Sequence, residues 1–165
     1  MMQVNLMLEK LDYVLSRLLA FIMVILVVDV AWQVITRFIL PKPSSFTEEV
    51  ARFLLIWLSL LGAAYAYKLH AHLGLDILVR KLSAKNALRV FRFNCFLVAI
   101  FSVVILIGGG SHLVWLTWVL GQQSPVLNMP MAYVYVAIPL SGLIFFIYSI
   151  SFIFAPTDTK VEDAI

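Results

Sequence analysis

The sequence predicts an all-α integral membrane protein with four transmembrane helices and both termini in the cytoplasm. Three observations carry this. Of 165 residues, 63% are hydrophobic and only 13% are charged, and mean hydropathy is +1.01, whereas a soluble domain has about 25% charged and roughly 45–50% apolar residues. The charges are clustered, leaving four long apolar runs. The basic residues are also divided unequally between alternate loops. A soluble extracellular or cytosolic enzyme is excluded by this balance.

A spanning helix needs about 20 mostly apolar residues, because roughly 30 Å of hydrocarbon is crossed at about 1.5 Å per residue. Four runs meet that length, at positions 18–40, 50–69, 93–120 and 131–155. Strands of a membrane barrel would instead alternate over about ten residues. The expected organisation is a single transmembrane domain over 1–156 and a short polar cytoplasmic tail over 157–165. The first run follows Lys10 and Arg17 as a signal peptide would, but hydrophobicity resumes after Asp29 and no small-residue cleavage pattern follows. It reads as an uncleaved span.

Orientation follows from the loops. With four spans both termini share a side, and that side holds Lys10, Arg17, Lys68, Arg80, Lys81, Lys85, Arg89, Arg92 and Lys160. The opposite side holds Arg37, Lys42 and Arg52. An excess of Lys and Arg marks the cytoplasmic side. The pI near 9.1 is thereby a matter of topology and lipid head groups, not of nucleic acid. Between the second and third spans, Leu75, Leu78, Val79 and Leu82 recur at helical spacing beside Arg80, Lys81 and Lys85. This describes a short amphipathic interfacial helix on anionic lipid, or a basic loop that only enforces topology. Positions 121–130 are uncharged and rich in turn formers: Gly121, Ser124-Pro125, Asn128 and Pro130.

Polar residues in or beside the runs are the candidate sites. Asp29 sits mid-span, where a carboxylate costs about 3 kcal/mol on the insertion scale. Asp29, Gln33 and Arg37 are each four apart and so share a helix face. The stripe suits packing against another helix; a proton or ion relay is the alternative, although no second carboxylate lies within the four runs. Ser45 and Glu48 fit a capping box at the start of the second span. Glu48 and Arg52, four apart, can pair, and the adjacent Glu49 leaves two readings open, capping or partner docking. Ser59 with Ala63, and Gly62 with Ala66, are small residues four apart, the pattern by which membrane helices approach closely. That face is expected to be buried against protein, with Trp57 packing beside it. Gly108-Gly109-Gly110 and Pro139 interrupt the third and fourth spans, through flexibility or close packing.

Several chemistries are weighed against. His70 and His72 fall at the inner surface, while His112 lies about twenty residues into the third span, roughly 30 Å away at 1.5 Å per residue. One haem or metal cannot join them. The single cysteine, Cys95, reads as a small buried hydrophobe. No phosphate loop, nucleophile elbow or zinc motif occurs. A self-sufficient homo-oligomeric channel or exporter, supported by Asp29 and the glycine run, is the alternative to a subunit of a larger assembly.

Read together, Arg37-Phe38, Phe46-Thr47-Glu48-Glu49-Val50-Ala51-Arg52, Trp57, Leu61-Gly62-Ala63-Ala64-Tyr65-Ala66 and His72-Leu73-Gly74-Leu75-Asp76 resemble the small four-span membrane subunit of tripartite ATP-independent periplasmic (TRAP) transporters. Phe46 stands where that family commonly has Trp. The resemblance implies a bacterial inner-membrane scaffold that is not an enzyme and carries no cofactor. It implies a large many-span partner subunit holding the sodium and substrate sites, and a periplasmic binding protein that delivers an organic acid such as a C4-dicarboxylate or sialic acid. His72 and Asp76 join the candidate interface on this basis.

Overall fold

A computed structural model describes residues 2–39, 45–69 and 84–154, with side chains over 8–39, 45–69, 86 and 88–154. It is all-helical in the described residues, apart from an isolated β-bridge between Gln123 and Pro130. The helices are α1 (Met2–Ile39), α2 (Ser45–Lys68), α3 (Ala84–Phe101), α4 (Gly110–Val119), α5 (Ala132–Tyr135) and α6 (Ala137–Phe154), with a π-helical stretch, Ser102–Gly109, joining α3 to α4. Four helical segments are long and apolar enough to cross a membrane: Leu8–Ile39, Ser45–Lys68, Leu88–Val119 and Ala132–Phe154. The interfacial helix expected over Leu75 to Leu82 lies outside the described residues, as does the tail.

The first three spans begin well before the apolar runs that announced them, whereas the fourth, Ala132–Phe154, falls within its run. No Gly or Pro occurs before position 41, so no helix breaker falls within α1, which is described to Ile39. At about 1.5 Å per residue its 38 residues reach some 57 Å, well beyond one hydrocarbon layer.

The third span is continuous, contrary to the expected interruption at Gly108 to Gly110. Gly110 keeps helical angles (φ −63°, ψ −44°), and the helix widens into π geometry ahead of it instead of breaking. In the fourth span the discontinuity falls at Val136, between α5 and α6. Pro139 explains the position: it lacks the N–H that would bond the Tyr135 carbonyl, and its ring crowds that carbonyl. Pro139 then occupies the first turn of α6, where a missing donor costs little.

α6 packs between α2 and the third span, and α1 lies along α2. The core is Leu15, Leu61, Ala64, Tyr67, Cys95, Ile144, Tyr148 and Phe152. Cys95 is fully buried there, as its apolar setting predicts. Glycine permits the closest approach. A Cβ on Gly142 would stand 2.6 Å from Leu106 Cβ, and one on Gly110 would stand 2.8 Å from Ile138 Cγ2. By contrast, α1 buries only Leu15, Ile22 and Thr36 among the described side chains, while Phe21, Val24 and Val28 are each more than 60% exposed.

Candidate functional site

The polar chemistry gathers at the two ends of the bundle. At one end, the loop between α4 and α5 is shaped by its own backbone. Gly121 (φ +60°) and Asn128 (φ +52°) take left-handed conformations, which Gly and Asn tolerate best. The Ser124 N–H donates to Met129 O (2.9 Å), the Asn128 N–H to Ser124 O (3.1 Å), and the Met131 N–H to Gln122 O (2.9 Å). Ser124 Oγ, buried within the loop, also accepts from the Met129 N–H at 3.3 Å.

Glu49 fastens this loop to the first turns of α2. Glu49 Oε2 accepts hydrogen bonds from two successive backbone amides, Val126 (3.2 Å) and Leu127 (2.8 Å). Glu49 is only 5% exposed. A buried carboxylate is tolerated when donors replace its water, and bonds to a charged acceptor are roughly twice as strong as neutral ones. The neighbouring Glu48 turns outward, and its Oε1 accepts from Arg52 Nη2 at 3.1 Å, both side chains being about two-thirds exposed. The two adjacent glutamates thus have different partners: one holds a loop of the same chain, the other a surface arginine.

At the opposite end, Asp12 joins three helices. Its Oδ1 accepts from Tyr148 Oη of α6 at 2.6 Å, and its Oδ2 pairs with Lys68 Nζ at the end of α2. At the residue before Lys68, facing the core, Tyr67 Oη shares a buried hydrogen bond of 3.1 Å with Ser149 Oγ. Sequence reasoning missed this cluster, because Asp12 precedes the first apolar run. The signal was available: in antiparallel spans the start of the first and the end of the second meet, which brings Asp12 to Lys68, and Tyr148-Ser149 is the polar pair of an apolar segment.

The remaining candidates are dispersed. Asp29 and Gln33 are partly buried, with Gln33 Nε2 donating to Asp29 Oδ2 at 3.0 Å, and Arg37 is exposed one turn on. Gly62, Ala63, Ala66 and Trp57 are partly buried, and Ser59 is exposed, its hydroxyl bonded back to Leu55 O at 2.6 Å. The small-residue stripe is therefore not the buried face of α2 within this chain; Leu61, Ala64 and Tyr67 form it. His72 and Asp76 lie outside the described residues. Three other hydroxyls within the apolar spans bond back to their own helices: Ser102 to Val98 O, Thr117 to Leu113 O and Ser141 to Ile138 O. Among the described residues no three His, Cys, Asp or Glu side chains gather as a metal site would require.

Four apolar helices fastened by polar ties at each end describe a compact membrane unit, and comparison with known proteins agrees. Residues 25–158 match the family described as tripartite ATP-independent periplasmic transporters, DctQ component. The chain is 28% identical over 114 residues, 68% of its length, to the C4-dicarboxylate TRAP transporter small permease protein DctQ of Rhodobacter capsulatus. It is 36% identical over 67 residues, 41% of its length, to the sialic acid TRAP transporter small permease protein SiaQ of Vibrio cholerae. These matches span 50% and 39% of the two relatives, so the chain covers half or less of their length. These relatives are transporter permease subunits, not enzymes. With more than half of its residues inside the family match, the chain belongs to the DctQ-component family of TRAP transporters.

Proposed function

We propose that this protein is the scaffold subunit of a sodium-gradient-driven, binding-protein-dependent importer of organic acids. It sits in the bacterial inner membrane with both termini cytoplasmic, as one transmembrane domain. A large many-span subunit packs against it and holds the sodium and substrate sites; a periplasmic binding protein delivers the cargo. The cargo class is a C4-dicarboxylate or a sialic acid, the two named for the relatives.

One observation carries the reading. The buried or partly buried carboxylates Glu49 and Asp12 engage groups of the same chain, while α1 leaves a long apolar face exposed. Polar groups used to fasten helices are not free to pass an ion, and a broad apolar face in a membrane suits a protein partner or lipid. The candidate interface comprises the stripe Asp29, Gln33 and Arg37, the surface pair Glu48 and Arg52, the small-residue face Ser59, Gly62, Ala63 and Ala66 with Trp57, and His72 and Asp76. Co-expression with the large subunit and affinity capture of this chain should recover a stoichiometric complex that takes up organic acid only with sodium and the binding protein. Purification of this chain as a homo-oligomer that alone makes vesicles permeable would overturn the proposal.

A further inference from the structure

We infer that Glu49 is a positioning residue for docking: its carboxylate fixes the loop of residues 122–131 on α2 and so presets the surface that receives the binding protein. The inference rests on the proposed function and adds the device by which the receiving face is held.

The loop does not need Glu49 for its shape. Four bonds among Gln122, Ser124, Asn128, Met129 and Met131 close it on itself. What Glu49 adds is the loop's place relative to α2, through the two amides at its tip, Val126 and Leu127. Successive backbone N–H groups form a concavity suited to an anion, and here the anion is supplied by the same chain, from a helix 77 residues away. The consequence lies in what remains outside. Gln122, Gln123, Pro125, Val126 and Asn128 are exposed, and Glu48 and Arg52 stand exposed on the helix that carries the carboxylate. Side chains on two separate elements are thereby held as one surface. Pre-positioning lowers the ordering cost of association, so its loss weakens docking without touching the transport step.

The test uses the two-subunit membrane complex reconstituted in liposomes, with its fluorescently labelled binding protein. Uptake is followed with succinate, or with N-acetylneuraminate if the wild-type complex does not take up succinate. In E49A the half-saturating concentration of binding protein should rise about tenfold, a change of roughly 1.4 kcal/mol in docking, with the maximal rate unchanged. E49Q keeps an acceptor oxygen and should rise less. The labelled binding protein should lose affinity in the same order, and hydrogen exchange at Val126 and Leu127 should accelerate. An unchanged half-saturating concentration in an assembled E49A complex would overturn the inference. So would failure of both variants to assemble, which would make Glu49 a folding residue. If the wild-type complex takes up neither acid, the proposed cargo class fails instead, and the affinity series alone decides the role of Glu49.

Discussion

Tyr148 donates a 2.6 Å hydrogen bond to Asp12 across 136 residues of sequence, and through the other carboxylate oxygen Asp12 reaches Lys68. One side chain therefore joins the first, second and fourth spans at a single level of the bundle. Hydrogen bonds to charged groups contribute about 1.5–3 kcal/mol. Y148F should destabilise the isolated chain by about that amount. Cys95 is fully buried and is the one cysteine of the sequence, so its labelling by a thiol-reactive dye on heating reports unfolding directly. D12A should cost at least as much, because it also leaves Lys68 without its partner. The double variant should then lose less than the two single losses combined; strict additivity would show that the pair is uncoupled.

Gly142 should be far less replaceable than Gly109. A Cβ at 142 meets Leu106 Cβ at 2.6 Å and Ile107 Cγ1 at 3.0 Å, atoms close to the backbone that cannot swing away. Overpacking of this kind costs about 1–3 kcal/mol, so G142A should lower the melting temperature despite the better helix propensity of alanine. G110A should behave alike, since its Cβ meets Ile138 Cγ2 and Pro139 Cδ. At Gly109 the nearest atom is 4.0 Å away, and G109A should change stability by less than about 0.5 kcal/mol. Equal effects at the three positions would show that propensity, not packing, governs the segment.

Which parts of this architecture were legible in the sequence follows from the range of each interaction. The four spans were legible because hydropathy accumulates along the chain, and the Gln33–Asp29 and Arg52–Glu48 bonds because both pairs are four apart on a helix. The Leu127–Glu49 bond spans 78 residues. It depends on the order of helices in space, with α6 between α2 and the third span, and hydropathy does not encode that order. For the same reason the spacing of the small residues of α2 does not say what covers them: within this chain Ser59 is exposed, while a Cβ at Gly142 or Gly110 would crowd the neighbouring helix. Small side chains permit close approach, but the partner decides where it occurs.

The Glu48–Arg52 pair should contribute almost nothing to folding. Exposed pairs at this spacing are worth about 0.3–0.5 kcal/mol and are screened by salt. E48A and R52A should therefore melt within about 0.5 kcal/mol of the parent protein, whereas a capping role for Glu48 would cost nearer 1 kcal/mol. If the pair belongs to the docking face, R52E should reduce uptake at limiting binding protein and leave assembly intact. Full uptake in R52E would remove both residues from that face.

Asp29 discriminates between lipid and protein on the exposed face of α1. Its carboxylate accepts from Gln33, and asparagine at 29 can keep that bond through its amide oxygen, so D29N should not unfold the chain. Its effect on assembly depends on what covers the stripe. A carboxylate facing hydrocarbon costs about 3 kcal/mol, so if α1 met lipid there, D29N would stabilise the protein and leave capture of the large subunit unchanged. Under the scaffold reading the stripe meets the large subunit, and D29N should lower the fraction of that subunit recovered with this chain while the melting temperature of the isolated chain stays constant. Wild-type recovery with sodium coupling lost would instead place Asp29 in a relay.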